Sequence, residues 1–482
     1  MRPEGADERP RRGETLPIDD VIRAVDRRME KTLAELVELA RIPSVSAAGF
    51  PSEPVDASAH AVAHLLEAAG LAEVDVLSID GSHPYVIGER RCDHDAPSVL
   101  IYAHHDVQPP GRDARWKSPP FEPTQRDGRL YGRGVVDDKA GLLLNLAALH
   151  AWRDVTGGYP VDVTVLVEGE EEIGSPNLAA FLRAHRQRLR GDVLVLSDTA
   201  NLATGLPSLT TSLRGLVAID VTVRALAHPL HSGMWGGPVM DAATAMSRIL
   251  ARLVDADGRA TIPGLHDDVP SLSPAEREAL AALPFDAAAF RADAGMPGSV
   301  RLTGDLHRSV YERLWLQPAV SVTALEAVPL AVASNQLIDE ARARIGVRIA
   351  PGQDPQRVAQ CVIDWARQDP PWGVEVTAEV ETAASGWRTQ PSGPAFEAAR
   401  RALGAGYGRE PVYIGCGGTI PFVGPFVDVL AGAPALLLGL EDPVCNAHGE
   451  NESLHLGDFT KACHAAAHLL GELAGLTRGR GA

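Results

Sequence analysis

Val163-Thr164-Val165-Leu166-Val167-Glu168-Gly169-Glu170-Glu171-Glu172-Ile173-Gly174-Ser175 is the stretch on which the fold turns. Its apolar run is too short for a helix and too continuous for a half-exposed strand, so it reads as a strand covered on both faces. Acids crowd its exit. Downstream, Leu178 to Leu189 has helical spacing, and a second apolar run, Val193 to Leu196, again ends in an acid, Ser197-Asp198. Upstream, a helix from about Asp138 to Trp152 follows the apolar run Val99 to Tyr102. Strand-like runs at Val74 to Ile79 and Tyr85 to Ile87 precede it, and amphipathic helices are expected over Ile18 to Arg41 and Asp56 to Ala69. Short apolar runs alternating with helices give an α/β sheet packed on both faces, whose strand ends are where ligands bind.

From Gly215 the texture changes. Leu216 to Val223 reads as a strand and Asp241 to Val254 as a helix, followed by a Pro-rich stretch in which Ser273-Pro274-Ala275-Glu276 has the form of a capping box. Strand Ala341 to Ile349, helix Pro355 to Gln368 and strand Val374 to Val380 then form a β-α-β-like unit. The first texture returns with helix Ala395 to Leu403, strand Ala435 to Leu440 and a terminal helix Phe459 to Ala474. The economical division is a disordered tail over 1–17, a metal-binding catalytic domain over 18–213 and 385–482, and an inserted α+β lid or dimerisation domain over 214–384.

Bulk properties narrow the function. The chain has 482 residues, 45% hydrophobic and 22% charged, as in an ordinary globular protein. A net charge of −18 repels phosphate backbones and anionic membranes, so no nucleic-acid or membrane partner is expected. No apolar stretch approaches the roughly 18 residues of a membrane span. Five scattered cysteines without a Cys-x-x-Cys pair argue against a disulfide framework or thiolate zinc site and fit a reducing cytoplasm, and the N-terminal residues show no signal-peptide pattern.

The candidate chemistry sits at strand ends and loops. In Tyr102-Ala103-His104-His105-Asp106 an imidazole could bind a cation while a carboxylate two residues on fixes its tautomer; alone, this pattern is equally a hydrogen-bonded loop histidine. Asp137-Asp138 closes a glycine turn before an apolar helix, where one acid can cap and the other is left over. Glu171, Glu172 and Asp198 leave buried strands, and His448 lies in the loop Asn446-Ala447-His448-Gly449-Glu450-Asn451-Glu452. Each has a bland reading as a solvated turn. Taken as a set, two imidazoles and three carboxylates match a two-zinc site, with a further glutamate left as base.

These residues resemble the M20 metallopeptidases, a family of dipeptidases, carboxypeptidases and amino-acid deacylases. The resemblance rests on His104-His105-Asp106-Val107-Gln108-Pro109, Trp116 to Phe121, Asp127-Gly128-Arg129-Leu130-Tyr131-Gly132-Arg133-Gly134, Asp137-Asp138-Lys139, Glu171-Glu172-Ile173-Gly174-Ser175 and Asn446-Ala447-His448. It implies a zinc-dependent hydrolase core with two divalent ions, zinc first and manganese or cobalt as alternatives. His104 and Asp198 would serve one ion, Glu172 and His448 the other, and Asp137 both. Asp106 would orient His104, and Glu171 would be general base to a water activated between the ions. In His228-Pro229-Leu230-His231-Ser232-Gly233, His231 would donate to the oxyanion across a homodimer, and Arg348 would hold a substrate carboxylate.

The family's Arg-Glu-Gly-Gly-Ser-Ile-Pro pattern appears as Gly415-Cys416-Gly417-Gly418-Thr419-Ile420-Pro421, without the charged pair, and Pro229 stands where Asp is usual. The expected activity is hydrolysis of dipeptides or similar small peptides, favoured by the dipeptidase-like segments Ser273 to Gly295 and Tyr311 to Trp315. The alternatives are an N-acyl-amino-acid deacylase or carboxypeptidase and, from a different class, a metal-free binding protein.

Overall fold

The computed structural model describes residues 16–92, 96–418 and 423–476. It divides into two compact units: the described residues of Met1–Thr210, Gln390–Ile414 and Phe422–Ala482, and those of Thr211–Thr389 and Gly415–Pro421. The division falls a few residues outside the expected 214–384 limits and moves the Gly415 segment into the second unit. The expected tail lies outside the described residues up to position 15, and Leu16 already packs against the core.

The first unit is built on a sheet with strand order Ala72–Leu77, Tyr85–Arg90, Asp162–Glu168, Ser98–His104, Val193–Ala200, Ala435–Glu441 and Ser208–Leu213. Its middle four strands are mutually parallel, with antiparallel partners on either side. Both faces are covered, as continuous apolar runs require. On one face Val99, Ile101, Ala103, Val163, Val165 and Val167 join helices Ile18–Ala40, Lys139–Thr156, Pro394–Tyr407 and Leu456–Ala474 in a single core. On the other, Tyr85 stacks on Phe181 at 3.9 Å and Tyr102 meets Phe426 edge-on at 5.1 Å. Helix Glu53–Ala69 starts three residues before Asp56 because Pro54 fits its first turn. Helix Leu178–Ala184 stops short of Leu189; Arg188 is instead drawn to Glu89 at 2.6 Å and Asp75 at 2.7 Å.

The second unit has a four-stranded sheet in the order Ala319–Glu326, Glu340–Ile349, Gly215–Arg224 and Glu375–Ala384, with every neighbour antiparallel. The expected β-α-β unit is therefore split: Glu340–Ile349 and Glu375–Ala384 run parallel but flank Gly215–Arg224 instead of pairing. Helices Ala242–Leu250 and Pro355–Arg367 cover one face, burying Val217, Ile219, Val221, Ile345 and Val347. The capping box forms, with Ser273 Oγ accepting from Glu276 N at 3.2 Å and Glu276 accepting from Ser273 N at 2.7 Å. No described helix is long and apolar enough to cross a membrane.

Candidate metal centre

Parallel strands ending at one edge deliver the chemistry to one place. His104 is the last residue of Ser98–His104, Glu171 and Glu172 form a 3-10 turn just beyond Asp162–Glu168, and Asp198 lies near the end of Val193–Ala200. The loop after Ala435–Glu441 brings His448, held at φ 62°. Asp137 arrives on the turn before helix Lys139–Thr156, and its peptide bond to Asp138 is cis.

The side chains converge. His104 Nε2 is 3.0 Å from Asp137 Oδ1 and 3.7 Å from Asp198 Oδ2. His448 Nε2 is 2.9 Å from Asp137 Oδ2 and 3.3 Å from Glu172 Oε2. Potential ligand atoms of His104, Asp137 and Asp198 lie within 4.8 Å of one another, as do those of Asp137, Glu172 and His448. Asp137 belongs to both groups, and its two oxygens face different imidazoles. Glu171 Oε2 stands 4.0 Å from His104 Nε2.

Such crowding displaces the titrations. Burial, then the charge of Asp137, pushes Glu172 well above the usual carboxylate range; burial, then Asp138, does the same to Asp198. Burial alone would lower His104, but hydrogen bonds to Asp106 and Asp137 hold it well above its ordinary value. His448 is raised to about 9, chiefly by its bond to Asp137. Divalent cations between these donors would relieve both strains at once, since they neutralise the carboxylates and take the imidazole lone pairs. The donor set of carboxylate oxygens and imidazole nitrogens suits zinc and equally manganese or cobalt.

A surrounding shell fixes the donors. Asp106 meets His104 Nδ1 through its backbone carbonyl at 3.1 Å and its carboxylate at 3.4 Å. The same carboxylate accepts from Ser46 Oγ at 2.6 Å and from the backbone N–H groups of Glu171 and Glu172 at 3.2 and 3.0 Å. It thus ties the histidine strand to the glutamate turn. Gln108 donates to Glu172 from its backbone at 3.1 Å and its side chain at 2.8 Å. Glu452, fully buried, accepts from Arg133 at 2.6 Å and from the amides of Gly134, Val136 and Asp137 at 3.0, 3.1 and 3.4 Å. Sequence reasoning assigned no role to Ser46, Gln108, Arg133 or Glu452. Nor did it single out Glu441, whose carboxyl is raised to about 8 by burial and then by Asp137.

His231 and Arg348 lie in the second unit. His231 is exposed and caps the short turn Ser232–Trp235, its Nδ1 accepting from Gly233 N at 3.1 Å. Arg348 is half-buried on Glu340–Ile349, opposite Leu216 and Ala319. Position 415 has no room for the arginine of the family pattern, because a Cβ there would meet Trp315 Cβ and Ser212 Oγ at 2.6 Å. Thr419, Ile420 and Pro421 lie outside the described residues.

A family model described as "Peptidase family M20/M25/M40" matches residues 100–472. The chain belongs to this family. Among its M20 relatives, a cysteinylglycine-S-conjugate dipeptidase of Corynebacterium striatum is 32% identical over 443 residues, covering 92% of this chain and 95% of the relative. The solved structure of the di-peptidase Dug1p from Saccharomyces cerevisiae shares the fold with a TM-score of 0.82 at 24% identity, covering 95% of this chain and 98% of that one. An M20 family metallo-carboxypeptidase from Sulfolobus solfataricus, Sso-CP2, matches with a TM-score of 0.80 at 28% identity over 92% of this chain and all of its own, 100%. The M20 chain described here is thus a two-domain α/β hydrolase and a peptidase-family enzyme.

Proposed function

We propose that the chain is a dinuclear metal-dependent dipeptidase. The observation that carries the reading is Asp137, one carboxylate shared by two donor groups, with each oxygen turned to a different imidazole. His104 and Asp198 would hold one ion and Glu172 and His448 the other, with Asp137 common to both donor groups, and zinc is the first choice. Bound there, two divalent ions supply Lewis acidity toward water and the scissile carbonyl. Glu171 takes the proton of the attacking water and returns it to the leaving amine; without metal, burial and then Asp137 raise its carboxyl against the pull of His104. Asp106 positions His104 and, through their amides, Glu171 and Glu172. Arg348 anchors a substrate carboxylate.

The second unit acts as a lid and dimerisation domain, so that His231 of the partner subunit donates to the oxyanion. Support for the dimer comes from the edge strand Ala319–Glu326 and from exposed apolar side chains beside it, Leu325 at 59%, Leu330 at 96% and Val332 at 69%. The scattered cysteines favour the cytoplasm.

Dipeptides are preferred because the Corynebacterium relative, at 32% identity over nearly the whole chain, is a dipeptidase acting on cysteinylglycine S-conjugates. A carboxypeptidase reading is favoured by the 28% identity to Sso-CP2. The test is substrate profiling on zinc-, manganese- and cobalt-loaded enzyme with cysteinylglycine and other dipeptides, longer peptides and N-acetylated amino acids. The proposal expects the highest kcat/KM on dipeptides; longer peptides trimmed from the carboxyl end equally well would favour the carboxypeptidase, and N-acetylated amino acids cleaved best would sink both.

A further inference from the structure

A cavity of about 760 Å³ lies wholly within the second unit, lined by Arg214 and by residues from the 255–320 segment. Its volume falls in the range of roughly 300–1,000 Å³ typical of small-molecule sites. The wall is cationic in a chain of net charge −18: five arginines line it against three carboxylates.

All three carboxylates are engaged. Glu312, buried at 1% exposure, accepts from Arg308 and stands 3.7 Å from Arg277 Nε. Asp305 is 3.1 Å from Arg308, and Asp255 accepts from the backbone amides of Asp257 and Arg259 at 2.9 Å. Two lining guanidiniums bond only backbone carbonyls among the described residues: Arg214 to Gly417 O at 3.1 Å and Arg313 to Thr303 O at 2.6 Å. Arg313 Nε is buried with no hydrogen-bond partner. Arg214 is 7% exposed, and burial together with the charge of Arg348 lowers its pKa to about 10. A buried guanidinium such as that of Arg214, lining the cavity without a carboxylate partner among the described residues, is costly unless an anion joins it. Its fork matches a planar carboxylate. Leu272, Phe290, Leu302 and Val310 supply an apolar part of the wall, beside the polar His266, Ser271, Thr303 and Gln317.

We propose that this cavity binds a small organic carboxylate with an apolar body, its carboxylate taken by Arg214 and Arg313. The site uses neither the metal donors nor Arg348, and it stands whether or not the enzyme prefers dipeptides.

The test is calorimetric titration of the metal-loaded full chain with 3-phenylpropanoate, which has no amide bond to cleave, beside 3-phenylpropan-1-ol and inorganic phosphate. Saturable binding of the carboxylate is expected, with the alcohol and phosphate at least about tenfold weaker. Arg214→Gln/Arg313→Gln should weaken Kd at least about tenfold, near 1.4 kcal/mol; the lysine pair should recover part of the loss, and Arg348→Ala, whose charge reaches Arg214 but which does not line the cavity, should weaken Kd far less than the glutamine pair. If circular dichroism shows the glutamine pair unfolded, Arg313→Gln alone carries the test, since that side chain is half-exposed. No saturable binding, equal binding to the glutamine variant, or loss only in Arg348→Ala overturns the proposal. Phosphate binding as tightly as 3-phenylpropanoate overturns the carboxylate assignment.

Discussion

Replacing Glu452 with glutamine should damage the metal centre without touching a donor. Its Oε2 accepts from Arg133 and Gly134, and its Oε1 from Val136 and Asp137. An amide group at either position turns its own N–H toward two donors, so each orientation of the glutamine forfeits two of the four hydrogen bonds. In one orientation Arg133, 1% exposed, loses this acceptor and keeps the carbonyls of Pro109, His448 and Gly449; in the other the amides of Val136 and Asp137 lose theirs. Burial pushes the Glu452 carboxyl up against the pull of Arg133, and the charge of Asp137 adds to the rise. The expected loss therefore measures the stranded guanidinium and amides, not the net worth of the pair. Breaking a buried pair from one side costs about 3–5 kcal/mol.

The turn presenting Asp137 and the loop carrying His448 both lean on this carboxylate, so zinc affinity should fall about 10–100-fold, as for other groups that orient ligands. Urea denaturation of zinc-loaded protein by circular dichroism gives the first quantity, and chelator competition gives the second. The Arg133→Met, Glu452→Gln pair should cost less than the sum of the two singles. A loss below about 1 kcal/mol with unchanged zinc affinity would refute the reasoning.

Glu171→Gln should retain both metals by elemental analysis while kcat drops about 10²–10⁴-fold; near-normal turnover removes Glu171 from its role. Arg348→Ala should raise KM more for substrates with a free α-carboxylate than for their amides, and an equal rise for both rejects the anchor. Heterodimers of His231→Ala with Glu171→Gln, purified with two tags, should regain about half of normal activity, because one site carries both defects and the other neither; a heterodimer as inactive as its parents rejects the shared site. Burial opposes the charge on Asp442, but Arg129 at 2.6 and 2.8 Å and Thr204 at 2.7 Å hold its carboxyl below the ordinary carboxylate range. A depressed folded pKa gives stability that is present above the unfolded value and lost as pH falls through the folded one. Asp442→Asn should therefore lower the melting temperature at pH 7 and narrow its gap to wild type below pH 4; a gap that stays constant down to pH 2 contradicts the assignment.

The sheet was legible because its strands are buried on both faces, which leaves runs such as Val163 to Val167 without polar interruption. The second unit was harder to read. Strand Ala319–Glu326 lies at the sheet edge with nearly every residue exposed, so no buried face marks it and it went unnoticed, and the pairing of Gly215–Arg224 between two later strands has no local signal. The candidate donors stood out through residue type and position at strand exits. Their supports did not, because Ser46, Gln108 and Glu452 are ordinary polar residues whose partners lie far along the chain.

The three consecutive glutamates show where pattern reading stops. As charges, Glu170, Glu171 and Glu172 are interchangeable, yet the backbone sends them to different surroundings. Glu170 turns away from the donors, accepting from Tyr85 at 2.5 Å and from Asn177 N at 3.0 Å. Glu172 is clamped by Gln108 and faces His448. Glu171 keeps its carboxylate beside His104. What separates them is the 3-10 turn Glu171–Ile173, pinned by the Asp106 carboxylate on its first two amides. An acid two residues after His104 therefore sets the direction of glutamates 65 and 66 positions later. No window of sequence around either segment contains that information, because it resides in the parallel pairing of Ser98–His104 with Asp162–Glu168.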